Sequence, residues 1–357
     1  MDEEIVLNIL LKAGYQAYLV GGCVRSNIAY LPYFDVDICT DADFDTLCEL
    51  FSKYNIKKFK EYSSIHFKYD IMTYEITTFR KELKYRNNKP IKIELCNSIE
   101  EDYVRRDFTI NALYAGIDGE VIDPSGDGIN DFENKIIRCI GNTHDKLMED
   151  NTRVLRAIRL SFTLGFKLDE EITDFILLNK DVFKTLSKEF IHSELDKIFE
   201  GDYVKDFFDF VDEYNLKSYL HLEYDKIVPA LGWGIWAQIE TDINFCKFDR
   251  DAINKIKELV RKKKINKYDL YYNEFILVFL ACMILKKKSA LIEFALMPIH
   301  NRSDIDINNN DLLEIIDKKY INRCFKDIEK AILDRKIRNK KKSIIRYVKK
   351  WYKKQEK

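Results

Sequence analysis

Two glycines and two aspartates constrain the start of this chain more tightly than any other feature. In YLVGGCVRSNIAYLPYFDVDICT, residues 18–40, the pair Gly21-Gly22 closes one apolar run, and Asp35 and Asp37 open another with a single residue between them. Short apolar runs flanked by breakers read as strands, and a glycine pair between them reads as a turn. The stretch at 23–31 has room only for a short helix. The segment is therefore expected to run strand, tight turn, short helix, strand. Residues i and i+2 of a strand point to one face, so the carboxylates of Asp35 and Asp37 meet. Two like charges at that spacing are costly unless a cation or base neutralises them, and a hard divalent ion such as Mg²⁺ is the natural partner. An edge strand with both carboxylates in water has the same pattern. The glycine turn can bring backbone N–H groups and a helix dipole up to an anion, or serve only as a corner. Glu75, in TYEITTF, is a further strand carboxylate that could complete a two-metal site; a half-exposed structural glutamate fits equally.

Strand patterns are confined to the first 140 or so residues. Residues 2–13 have helical apolar spacing (Ile5, Val6, Ile9, Leu10), FDTLCELFSKY reads as a helix, and IHFKYDIMTYEITTF alternates as a β-hairpin. RKELKYRNNKP is polar and rich in breakers, so a loop is expected there. EDYVRRDFTINALYAG is expected to be helical, and EVIDPSGDGINDFENKIIRCIG a loop with flanking strand and turn elements. From about residue 143 onward the pattern is one of successive helices. The expected class is α+β: a mixed-sheet head followed by an all-helical remainder.

At 357 residues the chain can bury two or three cores. No run of about 18 apolar residues occurs, so no membrane span is expected. The acidic start MDEEIVLNIL is unlike a signal peptide. The eight cysteines form no CxxC pair, which argues for reduced cytosolic thiols and not for disulfides or zinc. The near-neutral total hides an asymmetry. From residue 251 on there are 28 Lys and Arg against 14 Asp and Glu, whereas the first 250 residues hold 31 against 46. The closing RKIRNKKKSIIRYVKKWYKKQEK has twelve basic residues and one acid, with Tyr347, Trp351 and Tyr352 interleaved. That suits phosphate contact with occasional base stacking, or a solvated basic face.

GGCVRS…DVDICT resembles the GGxVRD…DxDI(A/V)T signature of class II template-independent nucleotidyltransferases, in the DNA polymerase β superfamily. EITTFR, RRDFTINAL (residues 105–113), DPSGDGINDFENKIIR and EDNTRVLRAIR (residues 149–159) resemble that family's further motifs, in order and at similar spacing. The resemblance covers residues 18–166. It implies a polymerase-β-like catalytic head over residues 1–139, a helical neck over 140–200 that selects the base, a helical body over 201–290 and a basic helical tail over 291–357 that binds tRNA.

The resemblance also implies roles. Asp35 and Asp37 would bind Mg²⁺, with Glu75 assisting. Gly21, Gly22, Arg25 and Asn111 would contact the incoming nucleotide and Arg106 its triphosphate. Asp150 and Arg153 would present hydrogen-bonding groups to the base, with Arg156 and Arg159 nearby. Spacing by three would put Asp150, Arg153 and Arg156 on one helical face, although an aspartate there can equally be an N-cap. The implied reaction is addition of C, C and A to the 3′ end of tRNA from CTP and ATP by a cytoplasmic enzyme, with no DNA or membrane partner. A-adding, CC-adding and poly(A)-polymerase activities are the nearest alternatives, and a non-catalytic RNA-binding protein is a further one. The segment carrying Glu82 is altered in CC-adding members, so its presence favours full CCA addition. Three departures stand out: Ser26 replaces the motif's aspartate, Tyr30 replaces a glycine, and RNNKP replaces an RHP-like element.

Overall fold

The computed structural model describes residues 3–355 and divides between His221 and Leu222 into two compact units. The first unit opens as the glycine and aspartate spacing requires, with α1 (Glu3–Lys12), β1 (Ala17–Val20), α2 (Gly22–Ile28) and β2 (Asp35–Thr40). α3 (Phe44–Leu50) follows, its first turn capped by the Asp43 carboxylate, which accepts from the Thr46 amide at 2.8 Å. Then come β3 (Lys57–Phe59) and the hairpin β4 (Ser64–Tyr69) and β5 (Met72–Thr78).

RKELKYRNNKP is not a loop. It forms most of a second hairpin, β6 (Arg80–Arg86) and β7 (Lys89–Leu95), in a sheet of its own. Asn87 and Asn88 occupy the left-handed region at φ 50° and 62°. A two-residue turn with both residues at positive φ matches the twist of paired strands, and asparagine tolerates it. The polar composition suggests a loop because this hairpin has no buried apolar face. EDYVRRDFTINALYAG is likewise not one helix. It breaks into α4 (Ile99–Asp102), two single 3₁₀ turns at 103–105 and 109–111, and β8 (Tyr114–Ala115). The break has a visible cause. Asp102 is fully buried and collects Arg105, Arg106, the Tyr114 hydroxyl and the Arg80 amide, a side-chain network that replaces continued helical bonding. β9 (Val121–Ile122), the short α5 (Gly128–Glu133) and β10 (Ile136–Ile137) complete the head.

The main sheet has seven strands in the order β3-β4-β5-β2-β1-β8-β9, with β2 and β5 parallel and the other pairs antiparallel. One face is packed. Val36, Ile38, Ile65, Phe67, Tyr74 and Ile76 meet Val6, Leu7 and Leu10 of α1 and Leu47 of α3, and Phe67 stacks on Tyr74 with ring centroids 5.1 Å apart. The other face carries Asp35 and Asp37. Its far end is closed by Val20, Cys39, Phe79 and Tyr114, and the aspartate end is open.

Beyond the head, the first unit is helical apart from β11 (Lys167–Leu168), which pairs in parallel with β10. The helices are α6 (Thr143–Glu149), α7 (Thr152–Leu164), α8 (Glu170–Leu178), α9 (Lys188–Phe199) and α10 (Val204–Glu213). The second unit contains α11 (Trp233–Trp236), α12 (Lys247–Arg261), α13 (Lys267–Tyr272), α14 (Phe275–Ile284), α15 (Ser289–Ala295), α16 (Asn309–Leu313), α17 (Ile321–Leu333) and α18 (Lys341–Tyr352) around one apolar core. In α18, Ile344, Val348 and Trp351 face that core, and the Trp351 indole donates to Asp327 at 2.7 Å. Tyr347 and Tyr352 pack beside them. The interleaved aromatics are thus the apolar stripe of an amphipathic helix, not a stacking surface. Lys342, Arg346, Lys349 and Lys353 lie on its exposed side. No described helix is long and apolar enough to cross a membrane. All eight cysteines are free and six are buried, where they act as small apolar groups.

Candidate functional site

The open end of the sheet leads into a cleft of about 510 Å³. Eleven of the twelve residues expected to form a site line it: Gly21, Gly22, Arg25, Asp35, Asp37, Arg106, Asn111, Asp150, Arg153, Arg156 and Arg159. Glu75 does not. It lies one strand further out, level with Asp37 on β2 and with His66 on β4, and its Oε2 is 3.3 Å from His66 Nε2.

The turn after β1 needs glycine for two reasons. Gly21 has φ 74° and ψ −132°, a backbone region closed to other residues, and a Cβ there would stand 3.3 Å from Asp37 Oδ2. Asp35 is exposed and Asp37 half-buried on β2. Burial, then Glu75, pushes the Asp37 carboxyl up to about 6, with Asp35 adding to the effect. Arg106 and Arg156 act in the opposite sense and offset this only in part. Among the described residues, no three His, Cys, Asp or Glu groups converge enough to hold an ion unaided.

Arginines dominate the opposite wall. Arg25, on α2, donates from Nη1 to Asn111 Oδ1, and its Nε is buried without a partner. Burial, then Arg159, lowers its pKa to about 10; Asp107 and Asp37 favour its charge from nearby, but it forms no ion pair among the described residues. That combination marks a place for an anion. Asn111 also donates to Asp107 at 3.2 Å, and Asp107 pairs with Arg156 at 2.7 Å, which links the head motif to α7. Arg106 is anchored by Asp102 at 2.9 Å and by the Tyr114 hydroxyl at 2.9 Å. Burial opposes its charge, but Asp102 holds its pKa well above the usual value. Arg159 pairs with the buried Glu194 of α9 at 3.0 Å.

Asp150 corrects one expectation. It lies in the turn before α7, not on the helix, and its Oδ1 accepts from the Thr152 amide at 3.0 Å and from the Thr152 hydroxyl at 2.5 Å. The capping interaction and a place in the cleft wall coexist in one side chain. Arg153, nearly buried, donates to the Lys146 carbonyl at 2.7 Å, Glu149 at 3.1 Å, the Tyr85 hydroxyl at 2.8 Å and the Arg105 carbonyl at 3.3 Å.

The cleft contains residues that motif reading missed. Arg80, Glu82 and Tyr85 come from β6, the segment read as a loop, and Tyr62, Arg105 and Asp107 are also present. Tyr85 donates to Glu82, and Glu82 pairs with Arg80 at 2.8 Å. Burial works against the charge on Glu82, but Arg105 and Arg80 hold its pKa below the ordinary range. Alternation along β6 would have pointed to Arg80 and Glu82 but then to Lys84; register shifts at Lys84 bring Tyr85 to the cleft instead.

Comparison with known proteins extends beyond the head. A family model described as Poly A polymerase head domain matches residues 17–138, and one for tRNA nucleotidyltransferase domain 2 matches residues 237–348. The chain is 30% identical to the CCA-adding enzyme of Bacillus cytotoxicus, across 95% of this chain and 95% of that protein. It is 31% identical to the CCA-adding enzyme of Ligilactobacillus salivarius, across 97% and 95%. Its fold is similar to that of the Bacillus stearothermophilus CCA-adding enzyme solved in complex with CTP, at a TM-score of 0.72 and 21% identity over 99% and 98% of the two chains. It is also similar to the Thermotoga maritima CCA-adding enzyme complexed with tRNA, at 0.63 and 16% over 97% and 93%.

Proposed function

The chain belongs to the CCA-adding enzyme family, and from that premise we propose that it adds C, C and A to the 3′ end of tRNA from CTP and ATP, in the cytoplasm, with Mg²⁺ as its metal. The observation that carries this reading is one cleft holding a carboxylate pair on one wall and arginines on the other, among them Arg25 with its buried, unpartnered Nε. The donor set fits a hard divalent ion. Asp35 and Asp37 offer only oxygen, and the carboxyl of Asp37 is raised by burial and by its acidic neighbours, a strain that a bound cation relieves. With no third carboxylate among the described residues converging there, triphosphate oxygens would complete the coordination. When bound, the ion supplies Lewis-acid stabilisation of charge on the reacting phosphate and lowers the pKa of the attacking 3′ hydroxyl.

The chain's own residues do the rest by positioning. The glycine turn keeps the space beside Asp37 clear. Arg25, with its unpartnered buried Nε, receives phosphate oxygens, and Asn111 fixes its direction. Arg106, held by Asp102, adds a preorganised positive charge. Asp150 and Arg153 read the base. Cytosine and adenine each offer an exocyclic amine beside a ring-nitrogen acceptor, to which a carboxylate and a guanidinium are complementary. Uracil and guanine present a carbonyl and a ring N–H there, leaving buried groups unpaired. Residues 140–200 form the neck that selects the base, and the basic face of α18 contacts tRNA phosphates.

The direct test is to incubate the protein with tRNAs lacking the last one, two or three nucleotides, supplying labelled CTP and ATP separately. Full CCA addition requires C on the two shorter acceptors and A on the longest. Incorporation of one nucleotide type only would replace it with a CC-adding or A-adding activity.

A further inference from the structure

We propose that the open sheet face running outward from Asp35 and Asp37 across β5, β4 and β3 seats the 3′-terminal nucleotides of the RNA being extended. The inference rests on the nucleotidyl-transfer reading above and assigns the place of the second substrate. Strand register puts Asp37, Glu75, His66 and Lys57 in one row across β2, β5, β4 and β3. Asp35, Thr73 and Lys68 form the adjacent row. Directly paired residues share a face, so both rows lie on the aspartate side of the sheet. The opposite side is the packed core.

The direction of the reaction selects this face. In-line displacement puts the attacking and leaving oxygens on opposite sides of the reacting phosphorus. Gly21 and Arg25, which would hold the triphosphate, follow β1, on the opposite side of β2 from β5. The attacking hydroxyl must then approach from the β5 side. That side suits a polyanion: Lys57 and Lys68 are exposed, and neither forms an ion pair among the described residues. Glu75, the one acid in the rows outside the aspartate pair, lies within ion-pair distance of His66. His66 is fixed in turn by Ser64 Oγ at 3.1 Å and by the Phe59 ring, whose centroid is 4.4 Å away. Phe59, half-buried two residues from Lys57, presents an aromatic surface beside the basic row. Three strand spacings from Asp37 to Lys57 span about 14 Å, the reach of a few stacked nucleotides at about 3.4 Å each.

The experiment compares the wild type with the double variant Lys57→Ala/Lys68→Ala on a tRNA lacking its CCA end. Loss of two single-strand phosphate contacts should lower the log–log salt slope of RNA binding by about 1.4 and raise the KM for RNA roughly 25-fold at 0.1 M salt. The KM values for CTP and ATP, kcat at saturating RNA, and Tm should stay at wild-type values. Lys57→Arg/Lys68→Arg should restore the KM for RNA. Phe59→Ala tests the stacking contribution separately and should raise the same KM by a smaller factor. If the double variant retains the wild-type KM and salt slope while the wild type extends the RNA, the seat is elsewhere and the function stands. If the wild type adds neither C nor A to any acceptor, both readings fall.

Discussion

Asp150→Asn separates the two things Asp150 does. In the folded chain Oδ1 accepts from the Thr152 amide and hydroxyl, which holds the side chain in one orientation. Asparagine caps a helix start about as well as aspartate. Its amide oxygen should therefore take the capping position and turn the NH₂ group toward the cleft. The variant changes one atom at the base edge from acceptor to donor and leaves the turn intact. Facing the exocyclic amine of cytosine or adenine, that donor loses a charge-assisted bond and leaves buried groups unpaired, at about 1–3 kcal/mol. Since 1.4 kcal/mol is a factor of ten, kcat/KM for CTP and ATP should fall roughly 5- to 150-fold. A carbonyl at the same place gains a donor, so discrimination against UTP and GTP should relax. The assay is single-nucleotide incorporation on a trimmed tRNA with each of the four nucleotides, beside a urea denaturation curve. Asp150→Ala serves as the comparison, because it also removes the cap and should lose about 1 kcal/mol of stability. If Asp150→Asn keeps wild-type stability and wild-type selectivity, Asp150 only caps α7 and the base-reading assignment is wrong.

Asp37→Asn should abolish nucleotide addition and yet stabilise the metal-free protein. A carboxyl raised to about 6 from an ordinary value near 3.9 destabilises the folded state above pH 6, and that cost disappears as pH falls toward 4. Urea denaturation in EDTA should show the variant ahead by up to about 3 kcal/mol at pH 7, with the gap closing near pH 4; a constant gap would refute the electrostatic cause. Asp35→Ala should also eliminate addition while tRNA binding, followed by anisotropy, is kept. Tyr30, at φ 54° and 96% exposed, bears left-handed strain without visible packing, so Tyr30→Gly should gain about 0.5–1 kcal/mol in thermal or urea unfolding. On α18, replacing Lys342, Arg346 and Lys349 with Gln should weaken tRNA binding and flatten its salt slope by about 0.7–0.9 per lost contact, with nucleotide choice unchanged. Trp351→Ala should instead destabilise the protein by about 3–5 kcal/mol, because it empties a core position and strands Asp327.

Sequence periodicity and spacing were sufficient for the strand–turn–helix–strand corner at residues 17–40, the β4–β5 hairpin and the helical character beyond residue 143. These are local consequences of residue type: a glycine at positive φ, alternation along a strand, apolar stripes along helices. The resemblance to nucleotidyltransferase motifs, and not local pattern alone, named eleven of the cleft residues. What the sequence alone could not determine depends on partners distant in the chain. Residues 80–90, which form β6, the turn and the start of β7, looked like a loop because the hairpin buries no apolar face, and its inward residues Arg80, Glu82 and Tyr85 are polar. The RRDFTINAL region looked helical because its spacing does not reveal that Asp102 gathers four groups from positions 80 to 114. For Asp150 the sequence left a helical ridge and an N-cap both open, and the observed turn shows the carboxylate capping the start of α7 while it lines the cleft. The aromatics of the basic tail looked available for bases until the packing of α18 placed them in a core. In each case the sequence determines which groups are present and their local periodicity, whereas burial and ion pairing are set by elements that meet only once the chain has folded.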